Sequence, residues 1–376
     1  MQIIEGNSVF SGGDRHFERV EKILPTGFKW IPIKGKMETV IAAYKKAARQ
    51  EIVIFASGDP FFFGFGNTLK RLLPKAKISC YPSFNSLQRL AHKKHLNYSD
   101  LHPVSLHGRP WKKLDEALIS GKTLIGILTD QEHSPKKIAE RLMRYGYSDY
   151  EMLIGEELDG ENEKLSHFTL DKAINYDVQR LNCLILKCVS EKRKPLSFSD
   201  NTYRTLEGRP NMMTKQAIRL VTINALNLHQ SKCFWDIGAC SGAVAIEAKR
   251  HYPWITIHAI EKREECLDII RENQRLHHTP GIEITIGDFF DCDLSKFDQP
   301  QSVFIGGHGG RLKELIPKVD SHLTNGGVIV MNTVLESSYL DFMETIEALR
   351  YSIVKEEKIS INEHNTIHVL SAQKPL

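Results

Sequence analysis

The segment Asp236-Ile-Gly238-Ala-Cys-Ser-Gly242 does most to limit what this 376-residue chain can fold into. A short apolar run, residues 232–237, leads into it, and a helical pattern follows it as far as residue 250. A strand that ends in a glycine turn and opens a helix is the elementary unit of a parallel α/β fold. Glycines at such a turn let the backbone approach a ligand closely. The helix N-terminus adds unpaired N–H donors and positive potential.

Two further carboxylates stand at successive strand ends. Glu261 follows the run 256–260, and Asp288 follows the run 283–286. A carboxylate at the second strand end can take both hydroxyls of a ribose, and a polar acceptor at the third can meet an adenine amine. The loop spacing is Gly-x-x-x-Gly, and an Asp opens it. That Asp would repel a pyrophosphate but attract an ammonium group. A nucleoside carrying an amino-acid ammonium, S-adenosylmethionine, is therefore expected, not a dinucleotide. The expected contacts are Asp236, Gly238, Gly242, Glu261 and Asp288. The plainer reading is a glycine-rich turn with no nucleoside.

The rest of the second half continues the alternation. Strands are expected at 302–305, 327–334 and 366–372, with helices at 263–277, 311–322 and 335–350. The first half alternates too: strands at 51–56, 123–128 and 181–189, helices at 37–49, 83–95 and 134–145. This predicts an α/β protein with parallel-leaning sheets. Residues 191–210 break the pattern with the charged cluster Glu191-Lys-Arg-Lys-Pro195 and a polar stretch. The boundary is placed there, giving domains 1–190 and 191–376. At ~100–200 residues per domain, each half is long enough for its own core.

Charge and cysteine content exclude several classes. A net charge of +4 is well short of a nucleic-acid coat, though it suits an acidic small substrate. Seven cysteines with no Cys-x-x-Cys pair and no zinc-ligand spacing read as free thiols in a reducing compartment. No metal site is expected. The sequence shows no leader-like start and no apolar run of the ~20 residues a membrane helix needs, so a cytoplasmic protein without membrane contact is expected.

After the strand at 302–305 comes Phe304-Ile-Gly306-Gly307-His308-Gly-Gly310. Four glycines around one His leave an open backbone floor that suits a large flat acceptor and argues against a flipped base. His308 is the candidate general base; the bland alternative is a loop histidine bonded to backbone.

The first half carries Ser57-Gly58-Asp59-Pro60-Phe-Phe-Phe-Gly64, then Tyr81-Pro-Ser-Phe, Ser105-Leu-His107-Gly-Arg109, Leu128-Thr-Asp130 and Gly155-Glu-Glu. With Val9-Phe-Ser-Gly-Gly13-Asp-Arg15-His16, this set resembles the tetrapyrrole methylases, and more narrowly those that methylate carbon 5 of a precorrin. In the second half, Met213-Thr-Lys215-Gln-Ala-Ile-Arg219, the loop 236–242 and the loop 304–310 resemble the partner that methylates carbon 15 and decarboxylates the carbon-12 acetate. The resemblance covers nearly the whole chain.

It implies a tetrapyrrole-methylase domain of two α/β subdomains followed by a Rossmann-like methyltransferase domain, with one S-adenosylmethionine per domain. Gly58, Asp59 and Pro60 would then belong to the first cofactor site. Arg15, His16, His107, Arg109, Lys215, Arg219, Gly306 and Gly307 would meet a substrate rich in carboxylates. For each cation the plain alternative is a solvated surface charge. A homo-oligomer without nucleic acid is implied. Relatives often carry a glycine where this chain has Cys240. The family also opens with a strand and a glycine turn, whereas Met1 here falls in the helix that follows them. The first domain is therefore expected to lack that strand. Two other readings stand: an RNA or DNA methyltransferase with an accessory domain, and a tetrapyrrole-binding scaffold in which only the second domain is active.

Overall fold

The computed structural model describes residues 2–178, 181–191, 195–209, 212–361 and 366–376. They form two compact units, Met1–Ser99 with Leu158–Glu161, and Asp100–Glu157 with Asn162–Leu376.

In the first unit, β1 (Val9–Gly12) lies between β2 (Lys29–Pro32) and β3 (Ile52–Ile54), all parallel. All four residues of β1 are buried, as a central strand covered on both faces requires. Helix Met37–Lys46 closes one face with Val40, Ile41 and Tyr44 against Val9 and Ile31. Helix Ser86–Lys93 starts on a reciprocal cap: Asn85 Oδ1 accepts from Gln88 N at 2.9 Å, and Gln88 Oε1 from Asn85 N at 3.0 Å. The returning segment is tied to this helix through Asp159, which pairs with Arg89 and Lys93.

The second unit holds two sheets. β4 (His102–Ser105), β5 (Leu124–Leu128), β6 (Tyr150–Glu156), β7 (Lys164–Thr169) and β8 (Asn182–Cys188) take the order β4-β5-β8-β6-β7. Only β4 and β5 are parallel; the other three pairings are antiparallel. This corrects the parallel-leaning expectation for this sheet, whereas the β1–β3 sheet of the same half is parallel. A short connection suffices to turn β6 back into β7, so no crossover helix is needed. Polar residues such as Glu151, Ser166 and His167 hide both strands from an apolar-run reading.

The other sheet contains β9 (Cys233–Ile237), β10 (Thr256–Glu261), β11 (Ile282–Ile286), β12 (Ser302–Ile305), β13 (Val328–Thr333), β14 (Ser352–Ile359) and β15 (Ile367–Gln373). Its order is β11-β10-β9-β12-β13-β15-β14, with β15 antiparallel to both neighbours. β9 is buried throughout and parallel to β10 and β12. The winding reverses at β9, so a crevice opens outside the carboxyl ends of β9 and β12.

The boundary read from composition separates these two sheets, which nevertheless share one unit. The Tyr147 hydroxyl donates to the His278 carbonyl at 2.7 Å, and the Lys112 ammonium to Thr256 Oγ1 at 2.8 Å. The supposed linker is partly a packed arm: Ser197 and Tyr203 are buried against the half that holds β9 to β15. Residues 192–194 and 210 of that stretch lie outside the described residues.

Candidate active site

The crevice holds a cavity of about 660 Å³. The turn after β9 builds its floor from residues in left-handed conformation: Gly238 at φ +77°, Cys240 at +48° and Gly242 at +72°. Cys240 takes a conformation that ordinarily favours glycine, and it is held there because its N–H donates to Glu261 Oε2 at 2.9 Å. Gly242 opens helix Ala243–His251, and a Cβ on it would press to 2.9 Å on Ile270.

Asp236, at the end of β9, is 1% exposed and lines the cavity. Its Oδ2 accepts from Ala245 N at 3.1 Å, while among the described residues Oδ1 has no partner. Burial pushes its carboxyl up to about 7; the Ala245 N–H opposes this and the charge of Glu261 adds to it. A buried, half-satisfied carboxylate facing a cavity calls for a cation. The ammonium of S-adenosylmethionine meets that need, so the donor set fits this group. Glu261, at the end of β10, also lines the cavity; its Oε1 accepts from Arg263 N and Nη1, both at 3.0 Å. Asp288, after β11, accepts from Phe290 N at 3.0 Å through Oδ1 and lines the same space.

The glycine floor after β12 meets the first turn directly. Gly306 N donates to Ile237 O at 2.8 Å, and a Cβ on Gly238 would lie 2.5 Å from Gly307 N. Gly238 and Gly306 are thus required by the packing of two loops on each other, a reason the sequence reading did not contain.

His308 lines the cavity, but its ring is engaged. Nδ1 accepts from Gly310 N at 3.2 Å, so in the neutral ring Nε2 carries the proton; Nε2 stands 3.3 Å from Ser338 Oγ. Burial lowers its pKa, opposed by the charge of Asp341, which favours that neutral form. The lone pair a base would use is taken by a backbone amide. His308 in this arrangement anchors the loop through Nδ1, with Nε2 directed at Ser338 Oγ.

The cavity brings together Asp236, Gly238, Glu261, Asp288, Gly306, Gly307, His308 and Lys215. Arg219 does not join them. It is fully enclosed, donates to Asp200 Oδ1 at 2.6 Å, Thr214 O at 2.7 Å and Phe198 O at 2.5 Å, and lies over the Tyr203 ring at 4.8 Å. Its charge is consumed in pinning the arm, so it leaves the substrate set.

In the first unit, Gly58 at φ +62° packs against Phe84 and Asn85, and Asp59 Oδ1 accepts from Phe61 N at 2.8 Å. Gly64 and Gly66 close over the Pro60 carbonyl, where a Cβ would approach to 2.6 and 2.8 Å. His16 accepts from Gly13 N through Nδ1 at 3.3 Å, and its Nε2 faces Ser57 Oγ at 3.0 Å. Burial lowers its pKa, helped by the neighbouring Arg15. Arg15 is exposed. In the second unit, the turn bearing His107 and Arg109 is fixed by Gly108 N donating to Asp130 Oδ2 at 2.8 Å.

Sequence reasoning missed Lys262, Arg263, Phe290, Arg311 and Asn332, which also line the cavity. All but Phe290, which lies in the turn after β11, directly follow or lie at a strand end or helix start already identified, which was the available signal.

The model of the precorrin methyltransferase domain matches residues 208–367, and that of the tetrapyrrole (corrin/porphyrin) methylases matches residues 2–174. The chain is 29% identical over 347 residues to the precorrin-6Y C(5,15)-methyltransferase [decarboxylating] of Sinorhizobium sp, covering 90% of this chain and 82% of that one. It is 30% identical over 174 residues to the cobalt-precorrin-6B C(15)-methyltransferase (decarboxylating) of Salmonella typhimurium, covering 46% of this chain and 89% of that one. It is 26% identical over 186 residues to the cobalt-precorrin-7 C(5)-methyltransferase of the same organism, covering 50% and 89%. The acidic strand ends, the glycine floor and these matches agree: the chain belongs to the family of fused precorrin-6Y C5,15-methyltransferases (decarboxylating).

Proposed function

We propose that this protein methylates carbons 5 and 15 of precorrin-6B, or its cobalt form, and decarboxylates the carbon-12 acetate. The observation that carries the reading is the convergence of Asp236, Glu261 and Asp288 on one cavity whose far side is the glycine floor at Gly306 and Gly307. S-adenosylmethionine, when bound, supplies an electrophilic methyl carbon. Asp236 would hold its ammonium, Glu261 its ribose and Asp288 its adenine. The meso carbons of a reduced tetrapyrrole are enamine-like nucleophiles, so the protein's task is mainly to position two reactants. The floor packs close on the turn after β9, where a Cβ on Gly306 would press to 3.0 Å on Gly238 O, and a flat ring would rest on residues 306–310. The electron pair released with carbon dioxide is taken up by the conjugated ring.

In the first unit, the Gly58-Asp59-Pro60 turn would belong to a methyl-donor site, with Arg15 and His16 as substrate contacts; in the second unit, His107 and Arg109 are likewise proposed as substrate contacts. The functional division would fall near residue 190/191, between the two family matches. One methyl donor per half, a homo-oligomer, a cytoplasmic location and no nucleic-acid partner complete the proposal. No helix among the described residues is long and apolar enough to cross a membrane. Methyl-labelled S-adenosylmethionine tests the reading by carbon NMR: label at carbons 5 and 15 supports it, and label on nitrogen, oxygen or another carbon overturns it.

A further inference from the structure

The cavity's charges are segregated. Its carboxylates, Asp236, Glu261 and Asp288, sit at the strand ends where the methyl donor is placed. Its cations, Lys215, Lys262, Arg263 and Arg311, lie at the starts of the following segments. Arg263 is committed to Glu261 at 3.0 Å. Arg311 is held by Glu314 at 2.7 Å and stacks on the Phe290 ring with its guanidinium carbon 3.6 Å from the centroid.

Lys262 differs from both. It is exposed at the end of β10, and among the described residues no carboxylate lies within 4.0 Å of its ammonium. That ammonium is nevertheless placed: a Cβ built on Gly309 would lie 3.5 Å from Lys262 Nζ. Gly309 stands in left-handed conformation at φ +58°, so the floor passes beneath the amine with no side chain between them. A mobile lysine with no partner is ordinarily spread over solvent. Here it lies beside the surface on which the acceptor is expected to rest.

We propose that Lys262 is a specificity-determining contact for the acceptor: its ammonium binds a peripheral carboxylate of the tetrapyrrole lying on residues 306–310. This rests on the functional reading above. A compact ammonium suits a carboxylate that arrives from a range of directions, as the flexible acetate and propionate arms of such a ring do. The contact is charge-assisted and sits at the cavity rim, so it discriminates among tetrapyrroles by the position of their acid arms.

The test uses the full-length protein, with S-adenosylhomocysteine and cobalt-precorrin-6B as separate probes. Lys262→Gln should weaken cobalt-precorrin-6B binding about tenfold, the loss typical of one charge-assisted contact, and flatten its salt dependence. Lys262→Arg should restore most of the affinity. S-adenosylhomocysteine binding should stay within about threefold of the parent in both variants. Unchanged tetrapyrrole binding by Lys262→Gln overturns the proposal alone. Equal loss of both ligands also overturns it, because Lys262 would then serve the methyl donor or the fold. A parent protein that binds S-adenosylhomocysteine but no cobalt-precorrin-6B overturns the functional reading, and this contact with it.

Discussion

Gly238 and Gly307 meet backbone to backbone: a Cβ added to Gly238 would lie 2.5 Å from the Gly307 nitrogen, while one added to Gly307 would find its nearest neighbour, Gly238 Cα, at 3.8 Å. The turn after β9, proposed to carry the methyl donor, and the floor after β12, proposed to carry the acceptor, are therefore one packed assembly with an asymmetric tolerance.

Gly238→Ala should be severe. It places a side chain at φ +77° and drives it into the facing loop. A loss of roughly 2 kcal/mol or more in unfolding free energy is expected, since the left-handed conformation alone costs about 1–2 kcal/mol. Gly307→Ala should change stability by about 0.5 kcal/mol or less, because it meets no clash. Denaturant titrations of the two variants check the asymmetry; equal losses would contradict it.

Binding of S-adenosylmethionine should tighten as pH rises through about 7, because Asp236 must ionise to meet the ammonium. The sign for stability is opposite. The folded pKa lies above the ordinary 3.8, so the folded state holds a proton the unfolded state has lost, and the free protein becomes less stable as pH rises from about 4 through about 7. Calorimetry in buffers of different ionisation enthalpy should show proton release on binding near pH 7. Asp236→Asn should abolish that release.

Arg219→Ala should destabilise the second unit by about 3–5 kcal/mol, the usual result of stripping one partner from a buried ionic network. Glu247, fully buried 3.5 Å from Arg219 Nε, would lose a counter-charge. The variant that remains folded at low temperature should bind the tetrapyrrole within about threefold of the parent, as expected for a residue with no ligand contact. A selective loss of substrate affinity, read by titration, would return Arg219 to the substrate set.

Acid should unfold the second unit early. The His277 ring lies between Phe198 and Tyr203, both with centroids at 4.1 Å, and both ring nitrogens lack partners among the described residues. Burial, with the charge of Arg250 next, lowers its pKa to about 4. The folded pKa lies below the ordinary 6.5, so the stability it allows is full above about 6.5 and is lost as pH falls toward about 4. The difference amounts to roughly 3 kcal/mol by linkage. His277→Phe should flatten that part of the pH–stability curve.

Much of the second half was legible because strands such as β9, β12 and β13 are apolar runs, whereas β14 was not, since Lys355-Glu-Glu-Lys358 breaks any apolar run there. Asp236, Glu261 and Asp288 could be assigned to one cavity from spacing alone. The hairpin of β6 and β7 was not legible, because the apolar run of β6 is only Met152-Leu-Ile154 and β7 is largely exposed, with polar residues breaking its pattern. Arg219 misled for a different reason: a helix-borne arginine near a binding motif reads the same whether it faces ligand or a folded-back arm. What engages it, the carbonyls of Phe198 and Thr214, belongs to backbone whose path the sequence does not encode locally. The contact of His308 Nδ1 with the Gly310 amide was likewise not legible, since it depends on the curl of the loop.

The central claim, two methylations coupled to one decarboxylation on a single chain, is tested most directly by a mass spectrum. Full-length protein is incubated with cobalt-precorrin-6B and excess S-adenosylmethionine, and the tetrapyrrole is weighed. The account predicts a product that has gained two methyl groups and lost one carbon dioxide. A product that gains methyl groups while keeping the carbon-12 carboxylate, or a substrate that returns unchanged, would contradict it.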